Sequence, residues 1–418
     1  MAHHERRLAI YYAIMFGTMG MTSPFFTPWL ASLGVDAKLT GVIVALPSIA
    51  MVLTTVYLGS LADRLNDWRT AIIASDCAVL VLLSWLLFRS EVLDIVVVWT
   101  LTGLLVAAKI PIVDAATCSV LRRQGGEYGR IRAIGSVGFV GALLLAGRLF
   151  DAVGFEQFIV LLVSGAAIRA IASTRLPRFR EPATIDREPV LFAETLVNEP
   201  VTVANLSAPS GNLASSTASF TSPSLQGELR YTGFLLVLIG AALINASHAF
   251  FVGFGILQWL DSGISKSTAS MLFASAVIAE ILLMWKFAAL SRRFSARYCM
   301  LVAALSGLLR WGLSTLALPV IALFFLQTLH ALSFGLLFVA TVSFIARRVD
   351  DTNAARAQSL YATLTTGALA VALILSGMLY QRLGIHGYWI MAVMCVSGAT
   401  VILASFLTGL EEESPQPG

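Results

Sequence analysis

The chain has 418 residues, of which 57% are hydrophobic and 12% are charged, and its mean hydropathy is +0.82. A soluble domain carries about twice that share of charged residues, so the composition excludes a soluble globular fold. The net charge of +4 is spread over separate loops and forms no basic stripe, which argues against nucleic acid as a partner. The sequence therefore predicts a multi-pass protein whose surroundings are the lipid bilayer.

Apolar runs of about 20 residues, the length that crosses a bilayer as a helix, recur from one end of the chain to the other. The first run is too long for the hydrophobic region of a signal peptide, so we expect it to stay as an uncleaved span. Twelve spans are predicted, at 8–33, 40–62, 70–88, 94–119, 133–153, 155–174, 232–257, 268–290, 298–317, 320–345, 359–381 and 388–409.

Lysine and arginine concentrate in the N-terminal segment, the even-numbered loops and the central loop, whereas the odd-numbered loops carry few. Because positively charged loops stay on the cytoplasmic side, both termini are predicted to be cytoplasmic. The expected location is the bacterial cytoplasmic (inner) membrane.

A polar segment with the run ANLSAPSGNLASSTASFTSPSLQGE separates the sixth and seventh spans. It lacks the apolar residues that a folded core needs, so residues 175–231 are predicted to be a largely disordered cytoplasmic linker. The linker divides an N-terminal six-helix half, 1–174, from a C-terminal six-helix half, 232–410. Residues 411–418 are predicted to be a cytoplasmic tail.

The two halves resemble each other at a constant offset. WLAS at 29–32 falls on WLDS at 259–262, and GRLFDAVG at 147–154 falls on GMLYQRLG at 377–384. A parallel six-plus-six repeat with a central linker is the layout of major facilitator transporters. The predicted fold class is therefore an all-α membrane protein with twelve transmembrane helices in two halves related by a pseudo-repeat.

The loop GSLADRLNDWR at 59–69 joins the second and third spans on the predicted cytoplasmic side. It looks like the loop of this superfamily that latches the two halves together when the inside is closed. The candidate gating residues are Gly59, Asp63, Arg64 and Arg69. The alternative is an ordinary basic loop.

Several ionisable residues lie inside predicted spans, and Glu280, Arg310 and His330 lie deepest. A charge in mid-bilayer costs about 2.5–3.5 kcal/mol on insertion scales, so these groups are expected to face an internal cavity and to pair. A fixed Glu280–Arg310 ion pair that only holds two helices together is the alternative. The predicted substrate-binding residues are Tyr12, Phe16, Lys109, Asn245, His248, Arg310, Trp311, Gln327 and His330.

Other ionisable residues lie nearer the predicted cytoplasmic ends. Arg169 and Lys286 are expected to extend towards the headgroups. Asp76 and Asp114 each have two interpretations, a functional one and simple neutralisation of a neighbour such as Lys109.

Five segments carry a family resemblance: SHAFFVGFGILQW (247–259), SAVIAEILLM (275–284), RW (310–311), QTLHALSFG (327–335) and AQSLYATLTTGA (357–368). They resemble the 3-phenylpropionate permease branch of the major facilitator superfamily, with nucleoside–proton symporters and lactose permease as more distant relatives. The lactose permease pattern implies roles for Glu280, Arg310 and His330. Its second glutamate, three residues after the histidine, is Ser333 here. The resemblance therefore leaves Glu280, His330 or Asp114 to carry a coupled proton.

The predicted function is proton-coupled uptake of a small organic solute, such as an aromatic acid, by alternating access. Proton-driven efflux of small amphipathic compounds and nucleoside or sugar symport are the alternatives. A non-transporting receptor with the same fold and a membrane-embedded enzyme are disfavoured. No catalytic residue, cofactor or metal is predicted, since the four cysteines are isolated and no phosphate-binding motif occurs. The expected partners are the solute and protons, and a monomer is predicted.

Overall fold

The computed structural model describes residues 3–63, 67–179, 232–291 and 294–408, and the side chains of all of these except 55–63, 285–291, 351, 352 and 355. The described ranges are built from helices and short connecting turns, with no β-strand among them. The predicted all-α class is confirmed.

The residues form two compact units. Unit 1 lies within Met1–Ser32 and Ala50–Ser216, and unit 2 within Leu33–Ile49 and Thr217–Gly418. The second helix therefore contributes its first half to unit 2 and its second half to unit 1. The predicted boundaries of the two six-helix halves stay a prediction.

The helices of the N-terminal part each fall on one predicted span, and a 3-10 turn at Phe155–Gln157 leads into the last of them. They are α1 (His3–Ser32), α2 (Ala37–Asp63), α3 (Trp68–Trp85), α4 (Val92–Gln124), α5 (Tyr128–Val153) and α6 (Phe158–Ser173).

Two of the C-terminal spans are each divided into two helices. The elements are α7 (Thr232–Ala246), α8 (Ala249–Asp261), α9 (Lys266–Ser291), α10 (Ala296–Ser314), α11 (Val320–Thr328), a π-helical turn (Ala331–Leu336), α12 (Leu337–Arg348), α13 (Asp351–Leu383) and α14 (Tyr388–Ser405).

Large apolar side chains are exposed along the helices of both units, including Val81 at 71%, Val137 at 71% and Phe325 at 71%. Apolar surface of this extent is unfavourable in water and favourable against lipid tails. Within the described ranges, nine helical stretches are long and apolar enough to cross a bilayer. A multi-pass membrane protein is thus confirmed, while the count of twelve crossings stays a prediction.

Glycines allow α1 and α5 to pack backbone against backbone in unit 1. A Cβ atom on Gly138 would meet the carbonyl oxygen of Ala13, and one on Gly135 would lie 2.8 Å from Cδ2 of Phe16. A Cβ atom on Gly141 would meet nothing within 4 Å. Only the first two of these glycines therefore lie in the interface, which holds Phe16 and its neighbour Tyr12 in place.

The first residues of the predicted linker pack against unit 1. Leu176 and Phe179 are 3% and 1% exposed and belong to its core. The Arg123 guanidinium donates a hydrogen bond to the carbonyl oxygen of Phe179. The rest of the predicted linker, 180–231, lies outside the described residues, so its lack of structure stays a prediction.

We expect Gly138→Ala to lower the midpoint of thermal unfolding of the detergent-purified protein, because the added methyl group would force α1 and α5 apart. Overpacking of this kind costs about 1–3 kcal/mol. Gly141→Ala is the matched control on the same helix and should leave the midpoint unchanged. Equal effects of the two substitutions would contradict the close approach at Gly138.

Candidate functional site

Two interruptions of helical structure shape the core of unit 2. Helix α7 ends at Ala246 and α8 begins at Ala249, so Ser247 and His248 form a break inside one predicted span. The second interruption is the π-helical turn Ala331–Leu336, which directly follows His330. Local π turns are frequent at functional sites, and transporters build substrate sites from broken helices.

Arg310 lies at the centre of this region on α10 and is 0% exposed. Its Nη2 donates to Oε1 of Gln327 at 2.6 Å, and its Nη1 lies 2.9 Å from Nδ1 of His330. The rings of Phe251 and Trp311 each lie 4.4 Å from the guanidinium carbon. Nε has no hydrogen-bond partner among the described residues. The guanidinium is thus held by neutral groups and two aromatic rings.

His330 lies between Arg310 and Glu280. Its Nε2 is 3.5 Å from Oε2 of Glu280, while its Nδ1 faces the guanidinium. From the sequence, Glu280 is expected to lie opposite Arg310 and to pair with it directly. The structure instead places an imidazole between the acid and the base, because His330 projects from the end of α11 where the helix changes to a π turn.

The contact with Arg310 determines the protonation state of His330. A guanidinium can only donate hydrogen bonds, so Nδ1 must accept and cannot carry a proton. The proton of the neutral ring is then on Nε2, which faces Glu280. His330 can bind a second proton at Nδ1 only when Arg310 has moved away from that atom.

Gly335, in the π-helical turn, gives Glu280 the space it occupies. A Cβ atom on Gly335 would lie 3.1 Å from Cγ of Glu280. The side chain of Glu280 is 12% exposed, and that of His330 is 11% exposed. Both groups are therefore largely shielded within unit 2.

A hydrogen-bonded layer beneath Arg310 fixes the indole ring of Trp311. Ser247 accepts a hydrogen bond from Nε1 of Trp311 at 3.0 Å and one from Sγ of Cys395 at 3.2 Å. The indole also stacks on Tyr388 with ring centroids 5.5 Å apart. Trp311 thereby supports Arg310 from one side while being 0% exposed itself.

His248 closes the aromatic surroundings of Arg310. Its Nδ1 lies 3.2 Å from the carbonyl oxygens of Ile244 and Asn245, so Nδ1 carries the proton, and Nε2 accepts from the hydroxyl of Ser333 at 3.1 Å. Ser333 is the residue that replaces the second glutamate of the lactose permease pattern, and it orients His248. The side chain of Asn245 is half-buried at the helix break.

In unit 1, two consecutive tyrosines of α1 each bind a buried aspartate. The hydroxyl of Tyr12 donates to Asp114 at 2.5 Å, and that of Tyr11 donates to Asp76 at 2.7 Å. The Phe16 ring lies one turn further along α1, beneath the guanidinium of Arg132 at 3.8 Å. Two predicted site residues, Tyr12 and Asp114, are thus brought together.

Lys109 and Arg169 share one oxygen of Asp76. Lys109 forms a hydrogen-bonded ion pair with Oδ1, and Nε of Arg169 lies 2.8 Å from the same atom, as an ion pair without a directed hydrogen bond. The expectation that Arg169 extends to the headgroups is wrong, because it is 4% exposed. Neutralisation of Lys109 by Asp76 is confirmed. The side chain of Lys286 lies outside the described residues.

Of the candidate gating residues, the structure describes the side chain of Arg69. Its Nη2 donates to the carbonyl oxygen of Thr174 at 2.6 Å, at the C-terminal cap of α6. A cation at this position satisfies a free helix carbonyl and faces the negative end of the helix dipole. The side chains of Gly59 and Asp63, and all of Arg64, lie outside the described residues.

Some residues of these clusters are not among the site residues predicted from the sequence. Phe251 lies one turn after His248 on the same face, and Ser247 precedes His248 directly, so both belong to a quoted motif. Arg169 is the one charged residue of α6, a signal that favours pairing over exposure. Tyr11 and Tyr388 carried no signal beyond being aromatic.

The family is decided by a match over nearly the whole chain. The model of the MFS_1 like family matches residues 5–391. The chain belongs to this family. The predicted major facilitator membership is thereby confirmed.

Curated relatives extend over the same length. The chain is 27% identical over 402 residues to the probable 3-phenylpropionic acid transporter of Escherichia coli (strain K12), covering 94% of this chain and 95% of that protein. It is 25% identical over 405 residues to the maltose permease of Geobacillus stearothermophilus, covering 94% and 92%. These relatives are transporters and not enzymes, as predicted.

Solved structures share the fold at low sequence identity. A crystal structure of the nucleoside transporter NupG has a TM-score of 0.75 at 16% identity and covers 98% of this chain and 100% of that one. A bacterial homolog of the human lysosomal transporter Spinster, inward-facing and unoccupied, has a TM-score of 0.73 at 14% identity and covers 99% and 98%. The MFS_1-like chain is a multi-pass membrane transporter of small solutes.

We expect Ser247→Ala to lower the unfolding midpoint, because the indole N–H of Trp311 would stay buried without its acceptor. A hydrogen bond between membrane helices contributes about 1 kcal/mol. Ser397→Ala is the matched control, since Ser397 is exposed and bonds only to Val393 of its own helix. Identical midpoints for Ser247→Ala and the native protein would show that Ser247 does not fix Trp311.

Proposed function

We propose that this MFS_1-like protein is a proton-coupled symporter that imports a small aromatic carboxylate. The observation that carries the proposal is the buried Arg310 guanidinium, which lies between two aromatic rings and is linked through His330 to Glu280. The name of the E. coli relative, a probable 3-phenylpropionic acid transporter, supports the same class of solute.

Recognition of a carboxylate follows from the partners of Arg310. Gln327 and His330 are neutral acceptors, and a carboxylate forms stronger, charge-assisted and bidentate bonds with a guanidinium. Nε is also without an acceptor among the described residues. A substrate carboxylate therefore has the advantage in competing for this group, with Gln327 and His330 then orienting the ligand.

Recognition of an aromatic ring follows from the side chains around the guanidinium. Phe251, Trp311, His248 and Phe334 form ring contacts with centroid distances of 5.1–6.2 Å. Offset and edge-to-face contacts with such rings stabilise a bound phenyl group beyond simple burial. The half-buried Asn245 adds a polar side chain at the helix break.

The position of His330 supports coupling to protons. When a substrate carboxylate takes Arg310, Nδ1 of His330 loses the donor that excluded a proton. The ring then accepts a proton and forms a full ion pair with Glu280, 3.5 Å away. Substrate and proton binding support each other reciprocally.

Unit 1 contributes further candidates to the proposal. Asp114, which is bonded to Tyr12 beside Phe16, stays a candidate proton carrier, and Lys109 stays a candidate substrate contact.

The remaining elements of the proposal rest on sequence. The pseudo-repeat and the linker favour alternating access, with Gly59, Asp63, Arg64 and Arg69 as the gating residues. The lysine and arginine distribution favours a bacterial cytoplasmic membrane with both termini inside. A monomer suffices for this mechanism.

A second candidate function is symport of a sugar or nucleoside. It is favoured by the names of the maltose permease and of NupG, which match along almost the whole chain. Proton movement into proteoliposomes separates the two, because 3-phenylpropionate should drive it and maltose or a nucleoside should not. Proton uptake with maltose or the nucleoside alone would overturn the aromatic-acid proposal.

We expect Arg310→Lys to weaken binding of 3-phenylpropionate by at least about tenfold, because an ammonium cannot replace the planar fork of donors. The matched control is Arg382→Lys at an exposed position of α13. The uncharged 3-phenylpropanamide should bind poorly to the native protein, as measured by calorimetry. Equal binding of acid and amide would contradict carboxylate recognition by Arg310.

We expect Glu280→Gln to exchange 3-phenylpropionate across proteoliposomes but to fail to accumulate it against a gradient. The reason is that protonated His330 would have no anionic partner. Glu156→Gln, at an exposed turn, is the matched control and should accumulate normally. Normal accumulation by Glu280→Gln would assign the pair a purely structural role.

A further inference from the structure

The buried charged cluster of unit 1 has more positive than negative groups. Among the described residues it contains one carboxylate, Asp76, at 0% side-chain exposure, against the ammonium of Lys109 at 1% and the guanidinium of Arg169 at 5%. Both cations approach the same oxygen, Oδ1, while Oδ2 accepts from the neutral hydroxyl of Tyr11. One positive charge in this cluster is therefore not balanced by Asp76.

The guanidinium of Arg169 is also incompletely bonded. Nη1 has a long hydrogen bond of 3.3 Å to the hydroxyl of Thr18. Nη2 and Nε are buried and have no hydrogen-bond partner among the described residues. A buried N–H group of a charged side chain costs free energy when it makes no hydrogen bond, and a buried cation is normally paired with an anion. Both deficits are met by the same kind of ligand, a small anion.

We propose that unit 1 binds a monovalent anion at Arg169 and Lys109. The ligand is a carboxylate-sized acceptor that takes the free Nη2 of Arg169 and balances the second cation. Asp76 holds the two cations in position by ion pairing, and the hydroxyl of Tyr11 fixes Asp76 through a hydrogen bond. The source of the anion is either a carboxylate-bearing solute or inorganic chloride. The site lies within unit 1. It includes Lys109, a candidate substrate contact of that unit, and its test uses no aromatic acid.

The test measures thermal unfolding of the full-length protein in detergent at constant ionic strength. Sodium chloride and sodium acetate are titrated against the sodium salt of the bulky sulfonate MES. We expect chloride, acetate or both to raise the midpoint in a saturable way. A response to acetate alone assigns the site to carboxylates, and a response to chloride assigns it to inorganic anions.

The decisive variant is Arg169→Gln, which leaves Lys109 and Asp76 as a balanced pair. We expect it to lower the apparent affinity for the anion by at least about tenfold, without lowering the midpoint in MES alone. Arg132→Gln, which removes a cation elsewhere in unit 1, should respond to anions as the native protein does. Arg169→Lys tests the same site with the charge kept, and its affinity should also fall because the fork of donors is lost.

The proposal is overturned if the native protein shows no saturable anion response, or if Arg169→Gln responds as strongly as the native protein. A lower midpoint of Arg169→Gln in MES together with an unchanged anion response would assign the guanidinium to its ion pair with Asp76 alone. The assay involves no transport and no aromatic acid. Its failure therefore leaves the proposed function of Arg310 intact, and failure of 3-phenylpropionate uptake leaves this site intact.

Discussion

A buried guanidinium with no carboxylate of the described residues in direct contact is the constraint on which the centre of unit 2 depends. Removing a charge from water costs several kcal/mol even after the protein relaxes. The protein offsets that cost at Arg310 with two neutral acceptors and two aromatic faces. These partners come from α8, α10 and the end of α11, so the three helices are fixed around one cation.

The irregular backbone of unit 2 follows from the same constraint. A regular helix would continue through Ser247 and His248, and again through the segment after His330. The break and the π turn place His248 where it bonds to Ser333, and Ser247 where it accepts from Trp311. In the hydrocarbon region such irregularity is tolerated only where the freed polar groups are satisfied within the protein.

The buried charges of unit 1 are paired in a different way from those of unit 2. Asp76 pairs directly with both cations and accepts from a tyrosine, whereas the described contact of Glu280 towards Arg310 runs through the imidazole of His330. A direct ion pair resists separation, while an imidazole can take a proton at Nδ1 once the guanidinium has left that atom. Under the proposed function, this difference favours the unit 2 arrangement for proton coupling.

The sequence by itself determined the membrane class and the positions of the apolar helices, because hydropathy along the chain can be read without coordinates. It also singled out Glu280, Arg310 and His330, because charged or polar residues in the middle of apolar runs are visible in the same way. The order of contacts among those three, with His330 in the middle, was decided only by tertiary structure. It depends on the π turn, which has no sequence signal as clear as that of a proline or a charge. The burial of Arg169 was likewise undecided, since a long side chain near the end of a span can reach either the headgroups or a partner on another helix. Packing of α6 in unit 1 put Asp76 within reach, and the attraction between opposite charges in a medium of low dielectric constant decided the outcome.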